Sequence, residues 1–170
     1  MRSGIGKAVG IVVVGSLIGC SKGSSREEEW AEVAKMIPWT MPMLTTCAAY
    51  ENAQSDLDKN DLAKAAQNMF RTATVTSVKG MVETVAPGGA GMTDEYVLQI
   101  SVGREFRFSS QSGKRPIKRG DAIYDRVAKL AKGQCVLFSA VSLEPLSPFV
   151  RGKVCDPVFI ARFTALEPCP

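Results

Sequence analysis

The stretch that decides the fold is residues 96–108, which read YVLQISVGREFRF. Apolar residues stand at positions 96, 98, 100 and 102, which is the two-residue period of a strand with one buried face. After Gly103, residues 104–108 alternate again and place Phe106 and Phe108 on one face. Because a glycine between two alternating segments is typical of a tight turn, the stretch predicts a β-hairpin.

Further strand patterns flank this hairpin. Upstream, residues 72–78 are rich in Thr and Val and run toward Val85, before the flexible turn sequence PGGAG at 87–91. Downstream, residues 135–141 and 158–166 have the composition of strands. Five strands are therefore expected over about a hundred residues.

A helix is expected between the third and fourth strands. Asp121 can cap it, Ile123, Val127 and Leu130 share one face, and Gly133 is its stop signal. The predicted order is β-β-β-α-β-β, which is that of the OB-fold, a five-stranded barrel that is partly open. The expected fold class is thus mainly β with α+β character.

Four segments carry a resemblance to a known family. They are residues 50–52 (YEN), 74–78 (TVTSV), 136–139 (VLFS) and 156–163 (DPVFIARF). Together they resemble OB-fold bacterial lipoproteins of the tRNA-anti-like kind, over most of residues 42–167. The resemblance implies the same barrel and transfers no catalytic residue, because a fold alone does not decide function.

Helical patterns precede the strands. Ser25 can cap a first helix that carries Trp30 on its apolar face and ends at Pro38. A second helix is expected from Thr40, and a third from a cap at Asn60. The expected organisation is a signal peptide at 1–19, a lipidated tether at 20–25, a helical appendage at 26–70 and an OB-fold-like barrel at 71–170.

The N-terminus has the pattern of an export signal. Arg2 and Lys7 precede an apolar run of eleven residues from Ala8 to Ile18, which is too short for a bilayer span of about 20 residues. The end of the run, LIGC at 17–20, resembles the bacterial lipobox. That resemblance implies diacylglycerol transfer to the Cys20 sulfur and cleavage before Cys20. An ordinary signal peptide with a chance cysteine, or an uncleaved anchor, is the alternative.

The lipobox resemblance also implies a location. Two or three acyl chains hold a protein stably on a membrane, where one chain is marginal. In the sorting rule of such lipoproteins an Asp after the lipidated cysteine retains the protein at the inner membrane, and Ser21 stands at that position here. We therefore expect a palmitate-type lipid anchor in the outer membrane, with the protein facing the periplasm.

The four cysteines after Cys20 suit disulfides in an oxidising compartment. No Cys-x-x-Cys occurs, which argues against a zinc ribbon or a thioredoxin-like site. If the last two strands pair antiparallel, the start of one lies beside the end of the other, so Cys135 is expected to pair with Cys169 and Cys155 with Cys47. The other pairings and four free thiols are the alternatives.

Two candidate binding surfaces stand out. Residues 63–170 hold 15 basic and nine acidic residues, whereas residues 20–62 hold four basic and eight acidic ones. The basic excess predicts a patch for lipid phosphates, lipopolysaccharide or an acidic protein surface, with a solvated loop as the alternative. The loop at 145–153 is the second candidate, unless it is a plain connector. The patch comprises Arg104, Arg107, Lys114, Arg115, Lys118 and Arg119, and the loop contributes Phe149, Arg151 and Lys153.

The sequence gives little support to catalysis. The absence of His excludes Ser-His-Asp and Cys-His schemes and His-ligated metals. No phosphate-binding loop or Ser-x-x-Lys motif is present. We therefore expect no catalytic residue, metal or cofactor. The net charge of +4 is too small to indicate a nucleic-acid binder, and Phe106 and Phe108 are expected in the core rather than stacked on a ligand.

The expected function is that of a non-enzymatic, membrane-anchored lipoprotein whose barrel binds a protein or an anionic envelope component. The alternative is a structural or assembly subunit of an envelope complex, which would dock through the helix that spans Trp30 to Ile37. A hydrolase is the least expected of the three.

Cys20→Ala tests the lipobox interpretation. Since no thioether can form, the precursor should keep its leader and leave the membrane fraction, as measured by intact-protein mass and by ultracentrifugation of lysed cells. Ser21→Ala is the matched control and should mature normally. Normal maturation of Cys20→Ala would refute the interpretation.

Overall fold

The computed structural model describes residues 25–69, 73–88, 94–110, 114–145 and 154–170. The predicted signal peptide and Cys20 lie outside this part of the chain. None of the helices within it is long and apolar enough to cross a membrane. The helices are α1 (Arg26–Met36), α2 (Thr40–Asn52), α3 (Asp56–Met69) and α4 (Tyr124–Val127), and the strands are β1 (Val75–Pro87), β2 (Glu95–Val102), β3 (Phe106–Ser109), β4 (Ile117–Lys118), β5 (Cys135–Pro145) and β6 (Val158–Pro168).

Five strands close a mixed barrel. β1 pairs antiparallel with β5 through its first half and with β2 through its second half. β2 pairs with β3, and β5 with β6, also antiparallel. A parallel pairing of β3 with β6 completes the circuit, and β4 is an extra strand on β2. With α4 between β3 and β5, the structure confirms the predicted OB-fold-like barrel.

β1 serves two neighbours because it bends. Its register with β2 shifts between Val82 and Thr84, and an extra residue of this kind bends and twists a strand. At Gly80 the strand passes so close to its neighbours that an added Cβ would lie 2.9 Å from the carbonyl oxygen of Ser101 and 3.0 Å from the ring of Phe138. A glycine is therefore required at this crossing.

The N-terminal helices share one hydrophobic core with the barrel. The Trp30 ring meets Phe106 edge-on, with ring centroids 4.6 Å apart. Trp39 packs against Phe159 with centroids 5.4 Å apart, and its Nε1 donates to the carbonyl oxygen of Thr74 at 3.0 Å. The segment predicted as an appendage thus covers the barrel with its apolar face.

Two predicted helix caps are wrong. α3 begins at Asp56, a turn earlier than expected. Ser55 rather than Asn60 is its cap, because the hydroxyl of Ser55 accepts the backbone N–H of Asp58. Asp121 does not cap α4. Its carboxylate instead accepts the backbone N–H of Lys118 at 2.7 Å, and α4 is only four residues long.

The turn of the hairpin is longer than predicted, so β3 begins at Phe106 rather than Arg104. Gly103 has φ of +63°, and an added Cβ would lie 3.0 Å from Glu29 Oε1 and 3.1 Å from Val33 Cγ2. The Glu29 carboxylate also accepts the backbone N–H of Arg104. Contact with α1 therefore selects the conformation of this turn.

Glu105 links the same turn to α1 and α2. Its carboxylate accepts hydrogen bonds from Trp30 Nε1 and, at 2.9 Å, from Arg26 Nε. Arg26 also donates to Glu51 on α2 at 2.6 Å. The hydrogen bond to Glu51 and then that to Glu105 raise the pKa of the Arg26 guanidinium above its ordinary value. Since Trp30 is 1% exposed, its N–H depends on Glu105 for a partner.

Two disulfides cross-link the fold. Cys47–Cys155 joins α2 to the segment before β6, across a sequence separation of 108 residues. Cys135–Cys169 joins the start of β5 to the end of β6, across 34 residues. Both disulfides are the expected pairs. The antiparallel register that sets Val136 opposite Pro168 brings Cys135 beside Cys169.

Glu105→Ala should destabilise the protein by about 2 kcal/mol, because it leaves the buried N–H of Trp30 without an acceptor. The free energy of unfolding in urea measures the effect. Glu32→Ala is the matched control, since Glu32 pairs with Lys35 on the surface and both side chains are 68% exposed. It should cost less than about 0.5 kcal/mol. Equal losses in the two variants would contradict the role given to Glu105.

Removing Cys47–Cys155 with paired Cys→Ala changes should cost about 1 kcal/mol more than removing Cys135–Cys169. The reason is that the longer loop restricts the unfolded chain more. Urea unfolding without reductant measures both variants. A larger loss for the Cys135–Cys169 variant would show that native packing, rather than loop length, decides the order.

Candidate functional site

A groove of about 770 Å³ lies among the loop before β4, the residues that lead into α4, the end of β5 and the middle of β6. Its floor is apolar and consists of the buried side chains of Ile117, Ile123 and Phe163. We term it the basic groove. Its charged lining residues are Lys114, Arg115, Lys118, Arg162, Glu95 and Asp121.

Two of the four cations in the basic groove are without an ion pair among the described residues. Lys118 pairs with Glu95 at 3.5 Å, and Arg115 pairs with Glu144 on β5. Lys114 and Arg162 are exposed and have no carboxylate within ion-pair distance in this part of the chain. These two side chains are the ones available to an anion.

Arg115 has a structural role in the wall of the groove. Its guanidinium donates to the carbonyl oxygen of Ser142 as well as to Glu144. Ser142 has φ of +54° and lies where the register of β5 with β6 shifts. Arg115 therefore holds the irregular end of β5 against the loop before β4, and its side chain is 23% exposed.

Arg119 lies beside the groove rather than in its lining. It forms an ion pair with Asp94 at 2.9 Å. A hydrogen bond with Tyr124 is the main cause that raises the pKa of Arg119 above its ordinary value, followed by the charge of Asp94. Arg119 is thus already neutralised by its own neighbours.

The six cations of the predicted patch lie at two places. Lys118 is opposite Glu95 at the start of β2, whereas Arg107 is opposite Ser101 near the end of that strand. Six residues of strand separate the two positions by about 20 Å. Arg104, at the same end as Arg107, pairs with Glu29 at 3.7 Å. The structure therefore brings together Lys114, Arg115 and Lys118, with Arg119 beside them, but not Arg104 and Arg107.

The charges around Arg107 on the outer face of β1 to β3 are neutralised, whereas Lys79 on β1 is exposed and has no ion pair among the described residues. Arg107 lies 2.5 Å from Asp156 and 3.6 Å from Glu83, and Gln99 donates to Glu83. The aromatic residues of β3, Phe106 and Phe108, are buried, as predicted. Binding of single-stranded nucleic acid uses unpaired cations and exposed aromatic rings, and this face of the described barrel supplies neither at these positions.

Arg162 is the groove residue that the sequence interpretation missed. It lies on β6, far along the chain from the other cations, and pairs across the sheet with Val141. The signal was present, because Arg162 and Thr164 are the exposed positions between the buried Ala161, Phe163 and Leu166. The sequence did not show that Arg162 lies in the same groove as Lys114 and Arg115.

Two other candidates carry less information. The loop residues Phe149, Arg151 and Lys153 lie outside the described residues. Within the described ranges, the possible metal-ligand atoms of Cys47, Glu51 and Cys155 lie within 4.8 Å of one another. However, the two sulfurs are bonded to each other and Glu51 is paired with Arg26, so this group offers no thiolate.

Similarity to known proteins is a further source of information about a site. Comparisons of this chain with protein-family models, with curated proteins and with solved structures found no match. The basic groove is therefore interpreted from its own geometry and charge.

Proposed function

We propose that this chain is a lipid-anchored protein of the bacterial cell envelope that binds an acidic protein surface or another anionic component in its basic groove. The observation that carries the proposal is that Lys114 and Arg162, both without an ion pair in the described structure, line a groove with an apolar floor. The LIGC sequence at 17–20 supports the anchor, and Ser21 supports an outer-membrane location facing the periplasm.

The proposed role is binding without catalysis. The chain has no His, and the carboxylates of the groove are already engaged. Glu95 pairs with Lys118, and Asp121 accepts the backbone N–H of the same residue. A groove whose acids are held in this way offers charge and shape to a ligand rather than a general base.

Docking through the apolar face of α1 has less support. Trp30, Val33 and Ile37 are buried, and Trp30 packs against Phe106 of the barrel. A partner would have to displace the barrel to reach this face. The assembly alternative would therefore need to use another surface of the protein.

A photo-crosslinking residue at Ala122 tests the proposal in intact cells. Ala122 is exposed and lines the groove, so it should give a crosslinked product. Lys114→Glu combined with Arg162→Glu should lower the yield of crosslinked product about tenfold, because two unpaired cations are replaced by carboxylates that repel an anionic ligand.

Lys129→Glu combined with Lys132→Glu is the matched control, since both lysines are exposed and outside the groove lining. This variant should keep the product. A crosslinker at the exposed Ala49 on α2 should not give it. The proposal is wrong if no product forms at Ala122, or if the product survives the groove charge reversal.

A further inference from the structure

We infer that the basic groove takes an extended acidic segment of a partner protein, which pairs its backbone with the edge of β6 that has no strand partner in the described structure. The inference rests on the proposed function and specifies the class of ligand.

β3 covers only the beginning of β6. β3 pairs with Val158, Phe159 and Ile160. From Ala161 onward, the described strand neighbour of β6 is β5, on its other side. An unpaired strand edge presents N–H and C=O groups that can accept a further strand, and peptides that bind in this way gain main-chain hydrogen bonds.

Side chains already cap the backbone on both flanks of the groove. Arg126 donates to the carbonyl oxygen of Leu166 at 2.6 Å, farther along β6. Across the groove, Asp121 accepts the backbone N–H of Lys118 on β4. Between these capped positions, residues 162–164 of β6 line the groove. Among the residues that the structure describes, the part of this edge left open to a strand is the part inside the groove.

The groove suits a segment with alternating side chains. Successive residues of a strand point to opposite faces, so every second residue of a bound segment can rest on the floor of Ile117, Ile123 and Phe163. The residues between them project toward the exposed cations Lys114 and Arg162. The favoured ligand therefore alternates apolar and acidic residues.

The mixed charge of the groove favours a peptide over a polyanion. Four cations and two carboxylates line it, and with Glu144, the ion-pair partner of Arg115, the net charge is 4 − 3, or +1. A cluster of lipid or glycan phosphates would bring like charge against Glu95 and Asp121. A peptide can place its carboxylates two residues apart and present neutral backbone to these two acids. The volume of about 770 Å³ also lies within the usual range for ligand sites.

A bulge limits how far a strand can be added. β6 carries one extra residue, Thr164, between the partners of Ala140 and Ser139. Because a bulge twists an edge and interrupts its hydrogen bonding, the added strand is short. Much of the affinity then comes from the cations, so binding weakens as salt rises.

The test starts with a displayed library of random dodecapeptides, selected on the full-length protein in detergent. We expect enrichment of sequences with acidic residues at alternate positions and apolar residues between them. The best peptide is then synthesised twice, once unmodified and once with alternate backbone nitrogens methylated. N-methylation leaves the charge unchanged and removes main-chain donors, so affinity should fall about tenfold or more.

Ala122→Trp fills the groove without a change of charge and should weaken the unmodified peptide by a similar factor. Ala128→Trp is its matched control, since Ala128 is exposed and lies outside the groove lining. This control should bind as the unaltered protein does. Comparison of the two variants shows whether weaker peptide binding is specific to a tryptophan in the groove or follows from any exposed tryptophan.

Each outcome bears on the inference separately from the proposed function. Equal binding of the methylated peptide, or a selection without acidic alternation, would overturn pairing on β6 while the groove could still bind anions. A crosslink from Ala122 to lipid, to glycan or to a second copy of this chain would overturn the inference that a partner protein supplies the ligand. Such a crosslink would still support ligand binding in the groove. Absence of both peptide binding and groove crosslinks would refute the inference and the proposed function together.

Discussion

The parallel contact between β3 and β6 is the constraint on which the barrel and its groove depend. It closes the barrel with three residue pairs, from Arg107 opposite Val158 to Ser109 opposite Ile160. β3 ends at Ser109, and the next residue, Ser110, is buried. The backbone N–H of Ser110 donates to the carbonyl oxygen of Leu98, and the hydroxyl of Ser110 accepts the backbone N–H of Leu98, each at 2.8 Å. Beyond Ile160, β6 has no strand partner on that side among the described residues. The same contact that closes the barrel therefore sets where the groove begins.

The helices fix the other end of β3. Glu29 and Val33 approach Gly103 so closely that the turn at 103–105 adopts one conformation. Glu105 in that turn holds the buried N–H of Trp30. The Glu29 carboxylate of α1 thus bonds to the barrel, because it accepts the backbone N–H of Arg104. The helices and barrel are consequently interdependent in stability, and the Cys47–Cys155 bond joins them covalently.

Local patterns were sufficient for the hairpin, the strand order and the first helix, where Ser25 is the expected N-cap. The structure adds that the Glu28 side chain completes a capping box with Ser25. The disulfide pairing followed from the same strand order. The ion pairs could not be foreseen, because the partners of Arg115 and Arg107, Glu144 and Asp156, come from distant segments. Likewise, β4 is only two residues long and exists through its pairing with β2. The groove could not be predicted either, because its lining comes from segments that are far apart in the chain.

The central proposal is that a ligand in the cell envelope occupies the basic groove. Hydrogen exchange tests it directly, by comparing the protein in envelopes isolated from the cells that produce it with the same protein purified in detergent. The claim predicts slower exchange in the envelope at residues 114–123 and 161–165, with β1 and α2 unchanged. Equal exchange in the groove, or protection confined to the face of Glu83 and Arg107, would contradict it.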